Sequence, residues 1–179
     1  MKKIAIATAL LFSMQSLGYA AAGGIESNEA GAVLVPIVNY SGQQIGKAQL
    51  TQKADRVHIH LEAEKLPPGK HGFHIHQFGK CDPPDFKSAG EHFNPTGVQH
   101  GFNNPKGFHD GDLPNLEVGA DGKVIADMES AVVTLQPGKP NSLLKEGGTS
   151  LIIHEKADDY VTDPSGNSGG RIACGKIQK

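Results

Sequence analysis

Glycine and proline interrupt this chain too often for it to build long helices. Twenty-three glycines and 11 prolines are spread along 179 residues. Between them lie short runs of β-branched or alternating apolar residues: AVLVPIV (32–38), QIGKAQL (44–50), RVHIHLEA (56–63), HGFHIHQF (71–78), KVIADM (123–128), SAVVTL (130–135), TSLIIHE (149–155) and RIACGKI (171–177). Runs of this length bounded by turn formers read as strands. No window holds a helical period over three turns, so the class is all-β, a sandwich or a barrel. Two stretches do not fit, Gly79 to Ala120 and Lys156 to Gly170. Long loops without regular structure are uncommon inside a compact domain and are usually functional or disordered. The first carries His92, His100, His109 and Asp112, which favours function.

The N-terminus has a different character. Residues 1–22, MKKIAIATALLFSMQSLGYAAA, run from two lysines through an apolar stretch to small residues, as a secretory signal does, with cleavage expected after Ala20 or Ala22. The apolar run Ile4 to Met14 is well short of the roughly 20 residues a membrane span needs. Residues 23–179 then form one domain, long enough to bury a core. No second apolar run of spanning length follows, so no stable membrane insertion is expected. Formal charge is -2, and losing Lys2 and Lys3 with residues 1–20 brings it to -4, which argues against a nucleic-acid partner. The two cysteines, Cys81 and Cys174, form most simply one disulfide in an oxidising compartment.

Histidine spacing carries the chemistry. In a strand, residues i and i+2 share a face about 6.5 to 7 Å apart, so His74 and His76 can aim two imidazoles at one ion. His58 and His60 have the same spacing and serve as a control. Val57, Ile59 and Leu61 alternate with them as the apolar face, so the pair reads as solvated histidines on an outer face, with an accessory metal or haem contact as the other reading. The two pairs differ in company. His92, His100, His109, Asp112 and His154 follow His74 and His76, enough donors for two sites. Nitrogen-only ligation suits copper, and a histidine set with one carboxylate suits zinc. Spacing alone does not say which histidine goes where.

GFHIHQFG, SAGEHFNP, HDGDLPNL, IIHEKADD and GNSGGRIACG, in that order, resemble the successive signatures of copper/zinc superoxide dismutase, over about residues 33–177. The resemblance implies an eight-stranded Greek-key β-barrel, an immunoglobulin-like sandwich with two long functional loops. It assigns His74, His76, His92 and His154 to one copper, and His92, His100, His109 and Asp112 to one zinc, with His92 as the shared bridge. Asp158 matches the carboxylate that links His74 to His100 behind the metals. Arg171 matches the arginine that receives the anion, and His71 matches a structural, non-ligand histidine.

The activity implied is dismutation of superoxide to O₂ and H₂O₂ by a copper redox cycle, with His92 supplying a proton as well as a ligand. Lys80 and Lys87 are candidates for steering superoxide, because the segment Ala157 to Gly170 holds Asp158, Asp159 and Asp163 but no lysine. A copper-binding storage or delivery protein of the same fold is the competing reading, and it would tolerate loss of Arg171 or of a copper ligand. A zinc hydrolase is disfavoured, since no strand-helix alternation is present. The short first loop CDPPDFKSAGEHF and the export signal are similar to bacterial members, implying a periplasmic or extracellular protein, monomer or homodimer.

Overall fold

The computed structural model describes residues 31–179, so the expected signal sequence lies outside the described residues. The strands are β1 (Val33–Asn39), β2 (Gln44–Lys53), β3 (Arg56–Ala63), β4 (Gly69–His71), β5 (Phe73–His76), β6 (Leu116–Val118), β7 (Val124–Ser130), β8 (Thr149–His154) and β9 (Arg171–Ile177). Among the described residues the only helical element is one 3-10 turn, Lys87–Ala89. None is a helix long and apolar enough to cross a membrane.

Seven strands form one antiparallel sheet in the order β5-β8-β9-β1-β2-β3-β7, and β4 pairs with β6. The expected run 71–78 is split at Gly72, so β4 and β5 are one strand that changes partners. Counted that way, eight strands run from β6 through β4/β5, β8, β9, β1, β2 and β3 to β7. The sheet curls until β6 and β7, joined by a tight turn in which the Gly119 N–H donates to the Lys123 carbonyl (2.9 Å), lie at its two ends. The all-β expectation holds.

Two details depart from the sequence reading. SAVVTL is not a strand beyond Ser130. Val133 and Leu135 are buried, but the Leu135 N–H finds the Gln52 side-chain oxygen (2.8 Å) rather than a ladder. A side chain here takes the place of a neighbouring strand. β6 falls inside the stretch read as loop, because three residues are too few to show a period.

Alternation builds the core. Val35, Ile37, Ala48, Leu50, Val57, Ile59 and Leu61 point inward from β1 to β3, as do Phe73, Ile75, Leu151 and Ile153 from β5 and β8. Burying an aliphatic side chain of this size contributes about 1.5 to 3 kcal/mol. β5 and β8 are unusual in being buried along their whole length. Their second face is covered by the long loops, which turns a polar outer face into an enclosed site.

Candidate metal centre

The free edge of β5 positions the loops. The Ile75 N–H donates to the Gly111 carbonyl (2.8 Å), the Phe93 N–H to the Ile75 carbonyl (2.8 Å) and the Gly111 N–H to the Phe93 carbonyl (2.8 Å). This triangle brings Asp112 beside His74 and His92 beside His76. Position 111 needs glycine, because a Cβ there would collide with the Ile75 carbonyl oxygen. Residues 16 to 38 positions apart in sequence thereby become strand neighbours.

Four imidazoles, His74, His76, His92 and His154, then gather with their nitrogens within 4.8 Å of one another, all buried. Each ring has its other nitrogen occupied. His74 Nε2 donates to Asp158 Oδ2 (2.9 Å), His76 Nδ1 to the Gly90 carbonyl (2.8 Å), and His154 Nδ1 to the Gly169 carbonyl (3.3 Å), while His92 Nδ1 lies 2.9 Å from Asp112 Oδ1. What remains is aimed inward: His76 Nε2 and His154 Nε2 are 3.4 Å apart, and His74 Nδ1 and His92 Nε2 are buried without any hydrogen-bond partner. Buried polar atoms without partners are costly and rare. Two of them facing a four-nitrogen set are what a bound metal would satisfy.

A second set shares His92. His92 Nδ1, His100 Nδ1 and His109 Nδ1 lie 2.9, 3.0 and 3.4 Å from Asp112 Oδ1, and His92 Nδ1 is 3.3 Å from His109 Nδ1. Ligands about 2.0 to 2.1 Å from a tetrahedral zinc stand roughly 3.3 Å apart, so these spacings fit. The Asp112 backbone partners fix its other oxygen, Oδ2, which accepts from the N–H groups of Gly101 (2.9 Å) and His109 (3.0 Å). His74 also falls within 4.8 Å of His92, His100 and Asp112. Its Nε2 is committed to Asp158, so its free nitrogen belongs with the first set.

Asp158 spans the two sets. Oδ2 accepts from His74 and Oδ1 from His100 Nε2 (2.9 Å) and the Tyr160 N–H (2.7 Å). The carboxylate therefore fixes the tautomer of both rings, leaving each Nδ1 free for metal. Asn115 was not singled out in the sequence, yet it clamps this segment: Nδ2 donates to the Asp158 carbonyl (2.9 Å) and Oδ1 accepts from the Asp158 N–H (2.8 Å). Only its place in HDGDLPNL signalled it.

Electrostatics separate the sets. Burial holds the first-set imidazoles neutral, with His76 well below its ordinary value, His92 at about 3 and His154 at about 2. Neutral imidazole is the ligating form. Burial also opposes charge on His100, but hydrogen bonds to Asp112 and Asp158 outweigh it and raise its pKa to about 9. Those same bonds hold both carboxyls well below the usual range despite burial. The second set thus favours positive charge, as a cation site should.

Arg171 stands opposite His154 in the β8–β9 ladder. Its Nη1 donates to the Phe86 carbonyl (2.8 Å), and Phe86 is buried in a small cluster with Cys81, Ala89, Ile152 and Cys174. Cys81 and Cys174 form the disulfide, with Cα atoms 5.7 Å apart, tying the first loop to β9 beside this arginine. His71 has its ring nitrogens 2.8 Å from the carbonyls of His154 and Pro67, a bracing role outside both sets. Lys87 is paired with Asp85 (3.0 Å). Asp159 accepts from the N–H groups of Val161 and Thr162, and Asp163 from the His100 N–H, so both acids are used within the loops.

A curled antiparallel sheet carrying two buried donor sets that share one imidazole defines a protein built for two adjacent metal ions. Residues 44–177 match the copper/zinc superoxide dismutase family. The chain is 54% identical over 143 residues to Cu-Zn superoxide dismutase 1 of Aquifex aeolicus, covering 79% of this chain and 85% of that protein. A solved superoxide dismutase-like protein from Bacillus subtilis superposes with a TM-score of 0.77 at 50% identity, covering 80% of this chain and 97% of that one. Cu/Zn superoxide dismutase from Brucella abortus gives 0.65 at 28% identity, over 82% and 99% of the two chains. The chain belongs to the copper/zinc superoxide dismutase family: it is an oxidoreductase that takes copper and zinc and acts on superoxide.

Proposed function

We propose that His74, His76, His92 and His154 hold copper, that His92, His100, His109 and Asp112 hold zinc, and that Arg171 receives superoxide. The observation that carries this reading is the pair of buried, unpartnered nitrogens, His74 Nδ1 and His92 Nε2, aimed into the four-nitrogen set. Copper supplies a reversible one-electron exchange, by which two superoxides and two protons become one O₂ and one H₂O₂, and zinc supplies charge and geometry without redox chemistry.

The remaining work belongs to the chain. Arg171, half-buried and anchored to the Phe86 carbonyl, keeps its other N–H groups for a small anion at a fixed place beside His154. His92 Nε2 is the buried atom at which a proton can be held and handed to product, since its Nδ1 is committed to the second set. Asp158 keeps His74 and His100 in the ligating tautomer. The complete donor sets together with Arg171 support turnover over storage. The leader-like residues 1–22 and the disulfide support export to the cell envelope, where superoxide would be removed outside the cytoplasm.

The test is superoxide decay by the protein carrying both metals against the protein carrying zinc alone, in one buffer. Near diffusion-limited decay that requires copper is expected. Slow decay at full copper occupancy would refute the assignment.

A further inference from the structure

Of nine histidines in the chain, six line the buried centre and His71 is held between two carbonyls. His58 and His60 take part in neither. Both lie on β3, between the buried residues Val57, Ile59 and Leu61, so their side chains emerge on the outer face, about a third exposed (30% and 33%). Across the ladder, β7 sets Asp127 opposite His60 and Glu129 opposite His58. Asp127 Oδ1 lies 2.8 Å from His60 Nδ1 and 3.2 Å from His58 Nε2. One carboxylate oxygen therefore sits between two imidazoles from strand positions i and i+2.

Lys47 and Arg56 are paired with carboxylates other than Asp127. Lys47 is on Glu62 (3.3 Å), and Arg56 is on Asp55 (3.1 Å) and Glu129 (3.0 Å). Glu62 adds a second carboxylate, with Oε1 3.2 Å from His60 Nε2. Two imidazoles and Asp127, with Glu62 beside them, form a nitrogen-and-oxygen donor set.

We propose that His58, His60 and Asp127 form a surface site for a divalent ion of the borderline class, Zn²⁺ or Cu²⁺, with water filling the remaining positions. Two histidines and a carboxylate are donors these ions prefer. Strand geometry supplies the common direction of the rings, and the ladder supplies the acid. Closing the three donors onto one ion takes rotation of exposed side chains and leaves the backbone in place. β3 is four strands from β8 in the sheet order, so this ion shares no ligand with the buried pair.

The test uses protein already loaded with copper and zinc, dialysed to equilibrium against micromolar Zn²⁺ and assayed for metal per chain. Wild type is expected to hold one more Zn²⁺ per chain than the His58→Gln/His60→Gln variant, and Asp127→Asn to hold it at least tenfold more weakly. Superoxide turnover should match in all three. With Cu²⁺ in place of Zn²⁺, wild type should show an additional tetragonal EPR signal that the double variant lacks. Equal metal content in wild type and the double variant, whether both hold two ions or both hold three, would overturn the proposal.

Discussion

Asp158→Asn separates the two metal positions on structural grounds. The substitution replaces one carboxylate oxygen by an NH₂ group, and the surroundings decide which. Oδ1 accepts from both the Tyr160 N–H and His100 Nε2, whereas Oδ2 accepts from His74 Nε2 alone. The amide oxygen keeps the place with two donors, and the NH₂ faces His74. Two donors then oppose each other, and His74 escapes only by moving its proton to Nδ1, the atom aimed at the four-nitrogen set. Losing one hydrogen bond to a charged group costs about 1.5 to 3 kcal/mol, or roughly 10- to 100-fold in affinity. That range agrees with the 10- to 100-fold typical for loss of a partner behind a metal-bound histidine. Copper should therefore weaken by about one to two orders of magnitude, and zinc by less. Competition against a chelator, run separately for each metal, measures both. Unchanged copper affinity, or zinc weakened more than copper, would refute the argument.

Replacing Cys81 and Cys174 by serine opens a loop with a separation of 93 residues. The chain-entropy relation gives a loss of about 4 to 5 kcal/mol. That corresponds to a fall of roughly 8 to 20 °C in Tm by calorimetry, and a shift within 2 °C would contradict it. Metal-free stability should vary with pH. His92 and His154, near 3 and 2 in the fold against about 6.5 unfolded, contribute stability that is present above pH 6.5 and lost as pH falls. His100, raised to about 9, contributes below 6.5 and loses it as pH rises through 9. Urea titrations of the metal-free protein should find stability rising up to a maximum near pH 6.5 and declining from there towards pH 9, and a flat profile would count against the buried neutral imidazoles. Arg171→Ala should lower kcat/KM on the order of 10-fold with copper content unchanged, and should flatten its salt dependence. Arg171→Lys should restore only part, because lysine lacks the planar fork. An unaltered rate in the alanine variant would remove Arg171 from the anion path.

The strands were legible because their inward residues alternate, and β1, β2, β3, β7, β8 and β9 lie close to the apolar runs. Where packing is supplied by something other than a ladder, the pattern misleads. Val133 and Leu135 are as buried as strand residues but take their bond from Gln52. The break at Gly72 left no mark because only His71 of the run 71–78 precedes it, and the short β4 (Gly69–His71) has no apolar alternation of its own. The disulfide pairing followed from there being only two cysteines.

The sequence by itself determined the donor inventory, six histidines and a carboxylate, and a strand that places His74 and His76 on one face, because residue type and a period of two are local properties. Their apportionment between two sites came from the family resemblance, since spacing along a chain says nothing of which loop returns where. Only the tertiary structure decided which nitrogen of each ring faces inward. That choice rests on the carbonyls of Gly90 and Gly169 and on Asp158, the last two supplied by the second loop. A backbone carbonyl has no side-chain signature, so the selection of a tautomer becomes visible only when distant segments pack together.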